Sequence, residues 1–213
     1  MSSLKTLYTH TAKSDKMTDI KIFTEGPGDV KFIKDYVKEL HEVDLSDNCF
    51  DKLNSWSGYK RGGAIYPLIS QSKNEGKQVI LVLDADNDFA KRQREVLTDF
   101  ESYNIPVKLF LFPNNNNAGN LEILLTEIAV ERKLMQCFEA YEACITGYES
   151  PVIKSKVFAY LDALLPTKNK KNNKQDLIQE ANRNYQNPAH WNLHHQYLQP
   201  FHDFLSPFFV ETK

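Results

Sequence analysis

Six carboxylates carry the first hint of chemistry: Glu25, Asp29, Asp84, Asp86, Asp88 and Glu122. Glu25 and Asp29 bracket Gly26-Pro27-Gly28. Asp84-Ala85-Asp86-Asn87-Asp88 follows the apolar run Val79–Leu83, and Glu122 follows Gly119-Asn120-Leu121. Carboxylates gathered in one place repel, and a divalent cation among them offsets that cost. Oxygen donors suit Mg²⁺ or Mn²⁺. The two acids of Asp84-x-Asp86 can turn to one ion or bridge two. A pair of ions about 3.5–4 Å apart is a common device for phosphoryl displacement. Gly26 and Gly28 make a small loop whose backbone can approach a phosphate. Lys60 and Arg61 are candidate phosphate contacts from a second glycine-rich loop, Ser57–Gly63. Each residue also has a plain structural role open to it. Asp29 can cap a helix, Glu25 can be solvated, and lysines and arginines usually line a surface. His194-His195 lacks metal-ligand spacing, and the late aromatics (Trp191, Tyr197, Phe201, Phe204, Phe208, Phe209) suit a core.

The elements that would position these acids follow from the hydrophobic pattern. Asp19–Thr24 alternates as a short strand, and a turn cluster and a helix follow from Asp29. Val30, Ile33, Val37 and Leu40 recur at helical spacing there. A weaker strand lies near Phe50–Trp56 and a helix at about 64–72. Val79–Leu83 is continuously apolar, as a parallel strand buried on both faces should be. A helix over 89–103, a strand at Val107–Phe112, and a polar loop from Pro113 through Asn117 come next. Helices are expected at 121–146, 152–165, 175–184 and 194–209. Strand–helix alternation predicts an α/β fold with a parallel sheet of four strands and helices on both faces. The divisions expected are a mobile tail at 1–16, an α/β core at 17–127, and a helical C-terminal part at 128–213 packed on it. In such sheets ligands bind beyond the carboxyl ends of the strands. Glu25, the Asp84–Asp88 run and Glu122 all fall there.

Composition narrows the partners. The 213 residues carry 26 Lys+Arg against 28 Asp+Glu, a formal net charge of −2. A strongly basic nucleic-acid binder is excluded, so nucleic-acid contact would need a local patch or bound metal. Three cysteines without CxxC spacing argue against a disulfide framework and suit the reducing cytoplasm. No apolar run reaches 18 residues, which gives no membrane-spanning helix.

The order strand-E-G-x-x-D-helix, then strand-D-x-D, then P-x(5)-G-x-L-E resembles a Toprim domain. The carrying segments are Ile22–Asp29 and Leu81–Asp88. Toprim domains occur in topoisomerases, bacterial primases, ribosomal-RNA maturases and the overcoming-lysogenization-defect nucleases. The resemblance is strongest to small stand-alone Toprim-like proteins of unknown function related to the last branch, whose stretch after the fourth strand Pro113, Gly119, Leu121 and Glu122 resemble. The resemblance covers residues 18–165, more weakly onward to Trp191. It implies a Toprim-like Rossmannoid fold and Mg²⁺- or Mn²⁺-dependent phosphotransfer on DNA or RNA, most simply a nuclease. By position it implies Glu25 as acid/base or metal ligand, and Asp84 and Asp86 as metal ligands. Asp29 and Glu122 would complete a second-ion shell, with Asp88 behind them. Lys156, or Lys154, would offset charge on the attacked phosphate.

The chain departs from that family in carrying no GxxxxGK[ST], so any ATPase or basic surface would come from a protein partner. Three other readings remain open on these residues. One is a non-catalytic Toprim-fold subunit that binds nucleic acid or a partner. Another is a nucleotide-sugar transferase using the D-x-D. The third is a phosphatase with Asp84 as nucleophile, although Asp88 stands where such enzymes carry Thr or Val.

Overall fold

Ile20–Thr24 (β1) turns successive side chains to opposite faces, Ile20 and Ile22 to one hydrophobic cluster and Phe23 to another. A strand buried on both faces needs helices on both, and the chain supplies them. The computed structural model describes residues 19–53, 58–149, 152–165 and 174–209. The expected tail at 1–16 lies outside the described residues, as does most of the polar, basic stretch 167–175 that the sequence marks as a loop.

Pro27–His41 (α1) follows β1, and then come Phe50–Lys52 (β2), Tyr66–Asn74 (α2), Gln78–Asp84 (β3), Phe89–Ser102 (α3) and Val107–Phe112 (β4). The four strands form an all-parallel sheet in the order β2-β1-β3-β4. Ile80, Val82, Phe110 and Phe112 join Ile20 and Ile22 on the face covered by Phe32, Ile33 and Tyr36 of α1. Val79, Leu81, Leu83 and Leu111 join Phe23 on the other face, against Ile69 of α2 and Val96 and Phe100 of α3. This is a Rossmann-like α/β arrangement. From β1 the chain goes outward to β2, then returns past β1 to build β3 and β4 on the other side. The carboxyl ends of β1 and β3 therefore flank the point where strand order reverses.

The remaining helices are Leu121–Ile128 (α4), Arg132–Cys144 (α5), Ile153–Leu164 (α6), Lys174–Ile178 (α7) and Gln199–Phe209 (α8). They form the helical C-terminal part and pack on the α1 face. Phe201 of α8 stacks among Phe32, Tyr36, Phe110 and Phe112, with ring centroids 4.8–5.9 Å apart. Removing a ring so buried costs about 3–5 kcal/mol.

Two helical expectations fail. The single helix expected over 121–146 is broken between α4 and α5. There the Val130 N–H donates to the His190 carbonyl and the Asn192 N–H to that of Ile128. Backbone pairing with a distant segment overrides local propensity. The helix expected at 175–184 stops at Ile178 and gives way to a 3₁₀ turn at Glu180–Asn182. No helix among the described residues is long and apolar enough to cross a membrane.

Candidate acidic pocket at the sheet edge

Glu25 directly follows β1, Asp84 ends β3, and the loop after β4 leads into α4, which carries Glu122. Glu25, Gly26, Gly28, Asp29, Asp84 and Glu122 line one cavity of about 240 Å³, with Lys154, Glu180 and Arg183. It lies at the reversal of strand order, where open α/β sheets bind ligands.

The carboxylates are held by backbone as much as by each other. The Asp84 N–H donates to Glu25 Oε1 at 3.2 Å, and Asp84 Oδ1 accepts the Leu121 N–H at 3.2 Å. Asp29 is not the N-cap of α1. Gly26 takes that position, and Asp29, at the third helical residue, reaches back so that its Oδ2 accepts the Gly26 N–H at 2.8 Å. Gly28 is needed for a close approach, because a Cβ there would stand 3.1 Å from Cβ of Glu180. Asn120 caps α4 through the Ile123 N–H, which sets Glu122 in the first turn of that helix.

Burial governs the electrostatics. Asp84 is raised to about 9, first by desolvation and then by Asp29, Glu25 and Glu122. Asp29 is raised to about 7, chiefly by burial, against the pull of its Gly26 bond. Burial also raises Glu25, opposed by Arg92, and Glu122, opposed by Lys154. Five carboxyl groups (Glu25, Asp29, Asp84, Glu122 and Glu180) line the pocket with two cations, Lys154 and Arg183.

Other candidates stand elsewhere. Asp86 sits in the left-handed region (φ 54°), its carboxylate side chain 60% exposed and 3.9 Å from Arg92 Nε. Asp88 caps α3 through the Lys91 N–H. Both line a neighbouring depression with Arg92 and Glu95 rather than the pocket, so the two ends of D-x-D do not converge. Lys156 is not a pocket residue: it pairs with Glu139 at 3.0 Å. Lys154 points the other way, 2.9 Å from Glu180 and 3.8 Å from Glu122. Residues two apart on a helix face nearly opposite directions. Lys60 and Arg61 pack toward α3, Lys60 3.9 Å from Asp99 and Arg61 over the Tyr103 ring. They do not line the pocket.

Three site residues escape a reading by motif. Arg92 pairs with Glu25 at 2.9 Å, and its signal was a base on an apolar stripe, since Arg92, Val96 and Phe100 recur every four residues. Glu180 and Arg183 carry no periodic signal.

The donors suit a hard divalent cation, being oxygen throughout and short of positive charge. Among the described residues, no three His, Cys, Asp or Glu side chains stand arranged to hold an ion. The set fits by donor chemistry, and side-chain rotation would have to bring three oxygens together.

A family profile matches residues 19–210. The chain belongs to DUF3226, a family of proteins of unknown function. In this DUF3226 chain the matched stretch takes in every pocket residue from Glu25 to Arg183. No curated protein and no solved structure matches it.

Proposed function

We propose that this protein is a Mg²⁺- or Mn²⁺-dependent hydrolase of phosphodiester bonds in nucleic acid. One observation carries the reading. Glu25, Asp29, Asp84 and Glu122, remote in sequence, share one cavity at the reversal of strand order, with Asp84 raised to about 9. A carboxylate held that far from its ordinary range favours a proton or a metal ion as partner. The resemblance of the E-G-x-x-D and D-x-D segments to Toprim domains supports the same chemistry.

Asp84, Asp29 and Glu122 would hold the cation, which when bound supplies positive charge at the attacked phosphate. Glu25, raised by burial against the pull of Arg92, takes a proton from the attacking water. The water oxygen bonds to phosphorus, the bond to the leaving sugar oxygen breaks, and that oxygen collects a proton from solvent. Lys154 balances charge at the pocket rim. Cytoplasmic location and contact with DNA or RNA belong to this reading.

The test is cleavage of end-labelled DNA and RNA with Mn²⁺. Asp84→Asn and Glu25→Gln should each lower the rate at least about 100-fold. Equal trace activity in wild type and both variants would sink the proposal.

A second reading, a non-catalytic subunit that binds nucleic acid beside a basic partner, is favoured by the Arg92–Glu25 pair, which already occupies Glu25. Mn²⁺ binding without turnover on either nucleic acid would select it.

A further inference from the structure

Arg183 is only 1% exposed, yet it lines the acidic pocket. Its Nε donates to the Ile178 carbonyl at 3.0 Å, and its guanidinium lies over the Phe158 ring at 5.2 Å. Nη1 and Nη2 are both buried with no partner at hydrogen-bond distance; the Tyr185 hydroxyl interacts with the guanidinium from beyond that distance. A buried guanidinium edge with no close acceptor carries a desolvation cost, which Glu122 and Tyr185 answer only at longer range. The segment is also fastened on its other side, where the Tyr185 N–H donates to Asp35 Oδ2 at 2.9 Å and Lys31 pairs with Asp35. The guanidinium is thus fixed at Nε and the backbone beyond it at Tyr185, with the two terminal nitrogens left without a close hydrogen bond in a pocket of carboxylates.

We propose that Arg183 is the phosphate-binding residue of this pocket, its Nη1–Nη2 edge receiving two oxygens of a phosphoryl group. A planar pair of donors matches two phosphoryl oxygens in a way a single ammonium does not. The inference rests on the phosphodiester reading for the natural ligand, and it names the residue that grips the phosphate. Lys154, already engaged by Glu180 and Glu122, is left to balance the acids.

The competing role for Arg183 is charge balance toward Glu122 alone, and Arg183→Lys separates the two, because it keeps the charge and loses the paired donors. The experiment uses the full chain at pH 7.5 with inorganic phosphate and Mn²⁺. Retained phosphate is read by equilibrium dialysis, Mn²⁺ by electron paramagnetic resonance, and folding by circular dichroism. Arg183→Lys and Arg183→Met should each weaken phosphate binding at least about tenfold and leave Mn²⁺ affinity within about twofold. If Arg183→Met does not fold, Arg183→Lys alone decides. Wild-type affinity in Arg183→Lys, or no phosphate held by the wild type, overturns the proposal. Loss of Mn²⁺ binding in Asp84→Asn supports the metal reading separately. Should Mn²⁺ fail to bind the wild type while the arginine variants still lose phosphate, the metal reading falls and the role of Arg183 stands.

Discussion

Arg92 Nη2 donates to Glu25 Oε1 at 2.9 Å, and the same oxygen accepts the Asp84 N–H at 3.2 Å. One carboxylate oxygen therefore joins the end of β1, the end of β3 and the first turn of α3. Arg92 Nε adds a bond to the Asp84 carbonyl at 3.3 Å.

Arg92→Met should strand Glu25 without its cation. Removing one partner of a largely buried pair costs about 3 kcal/mol, and partial exposure of Glu25 puts this case near or below that figure. Urea unfolding at pH 7 measures it. At pH 4 Glu25 holds a proton and the gap between variant and wild type should narrow; an equal gap at both pH values would contradict the pairing.

Stability should fall as pH rises. Asp84 and Asp29 have folded-state values of about 9 and about 7, above the ordinary 3.8. The folded protein thus binds more protons than the unfolded chain between pH 4 and 9, and ∂ΔG/∂pH is negative there. The contribution is fully present below pH 4 and is lost as pH climbs to about 9. Asp84→Asn, which mimics the protonated form, should gain on the order of 2 kcal/mol over wild type at pH 8 and little at pH 4. Thermal unfolding across that range in chelator checks it, and parallel pH profiles would refute the assignment.

Lys154→Ala should lower phosphodiester cleavage at least about tenfold, since it removes the cation facing Glu122 and Glu180. Lys156→Ala should change the rate less than about twofold and stability by at most about 1 kcal/mol, because its partner Glu139 is half exposed. Steady-state rates of the two variants, side by side, decide between the lysines.

Gly119→Ala should destabilise by about 2–3 kcal/mol. Gly119 has φ +135°, and a Cβ there would lie 2.5 Å from Ile123 Cδ1. Its backbone also exchanges two hydrogen bonds with Asp86, at 2.7 and 2.9 Å. Denaturant titration gives the size, and a change below about 0.5 kcal/mol would show that α4 shifts freely.

The sheet was readable because its strands are short apolar runs, and β3 at its centre is buried on both faces. Val79–Leu83 announced β3, and Val107–Phe112 is β4 to the residue. Glu25, Asp29, Asp84 and Glu122 could be placed because parallel strands bring the loops at their carboxyl ends to one edge. Asp86 could not, because its direction depends on a left-handed backbone set by the bridge to Gly119. The break between α4 and α5 and the place of Arg183 depend on backbone contacts from residues 183–192, far along the chain. No local period records such contacts.

The pocket's acids belong to the first 122 residues and Glu180, whereas the cations that line it with them are Lys154 and Arg183. On the ribosome, Arg183 follows Glu122 by roughly sixty residues, or about 3–12 s of synthesis. For that interval Arg92 is beside Glu25, but Asp29, Asp84 and Glu122 have no pocket-lining guanidinium with them. Asp35 also awaits Tyr185, whose N–H it accepts in the finished fold. The site is thus completed late in translation, and a chain released early carries the carboxylates without Arg183.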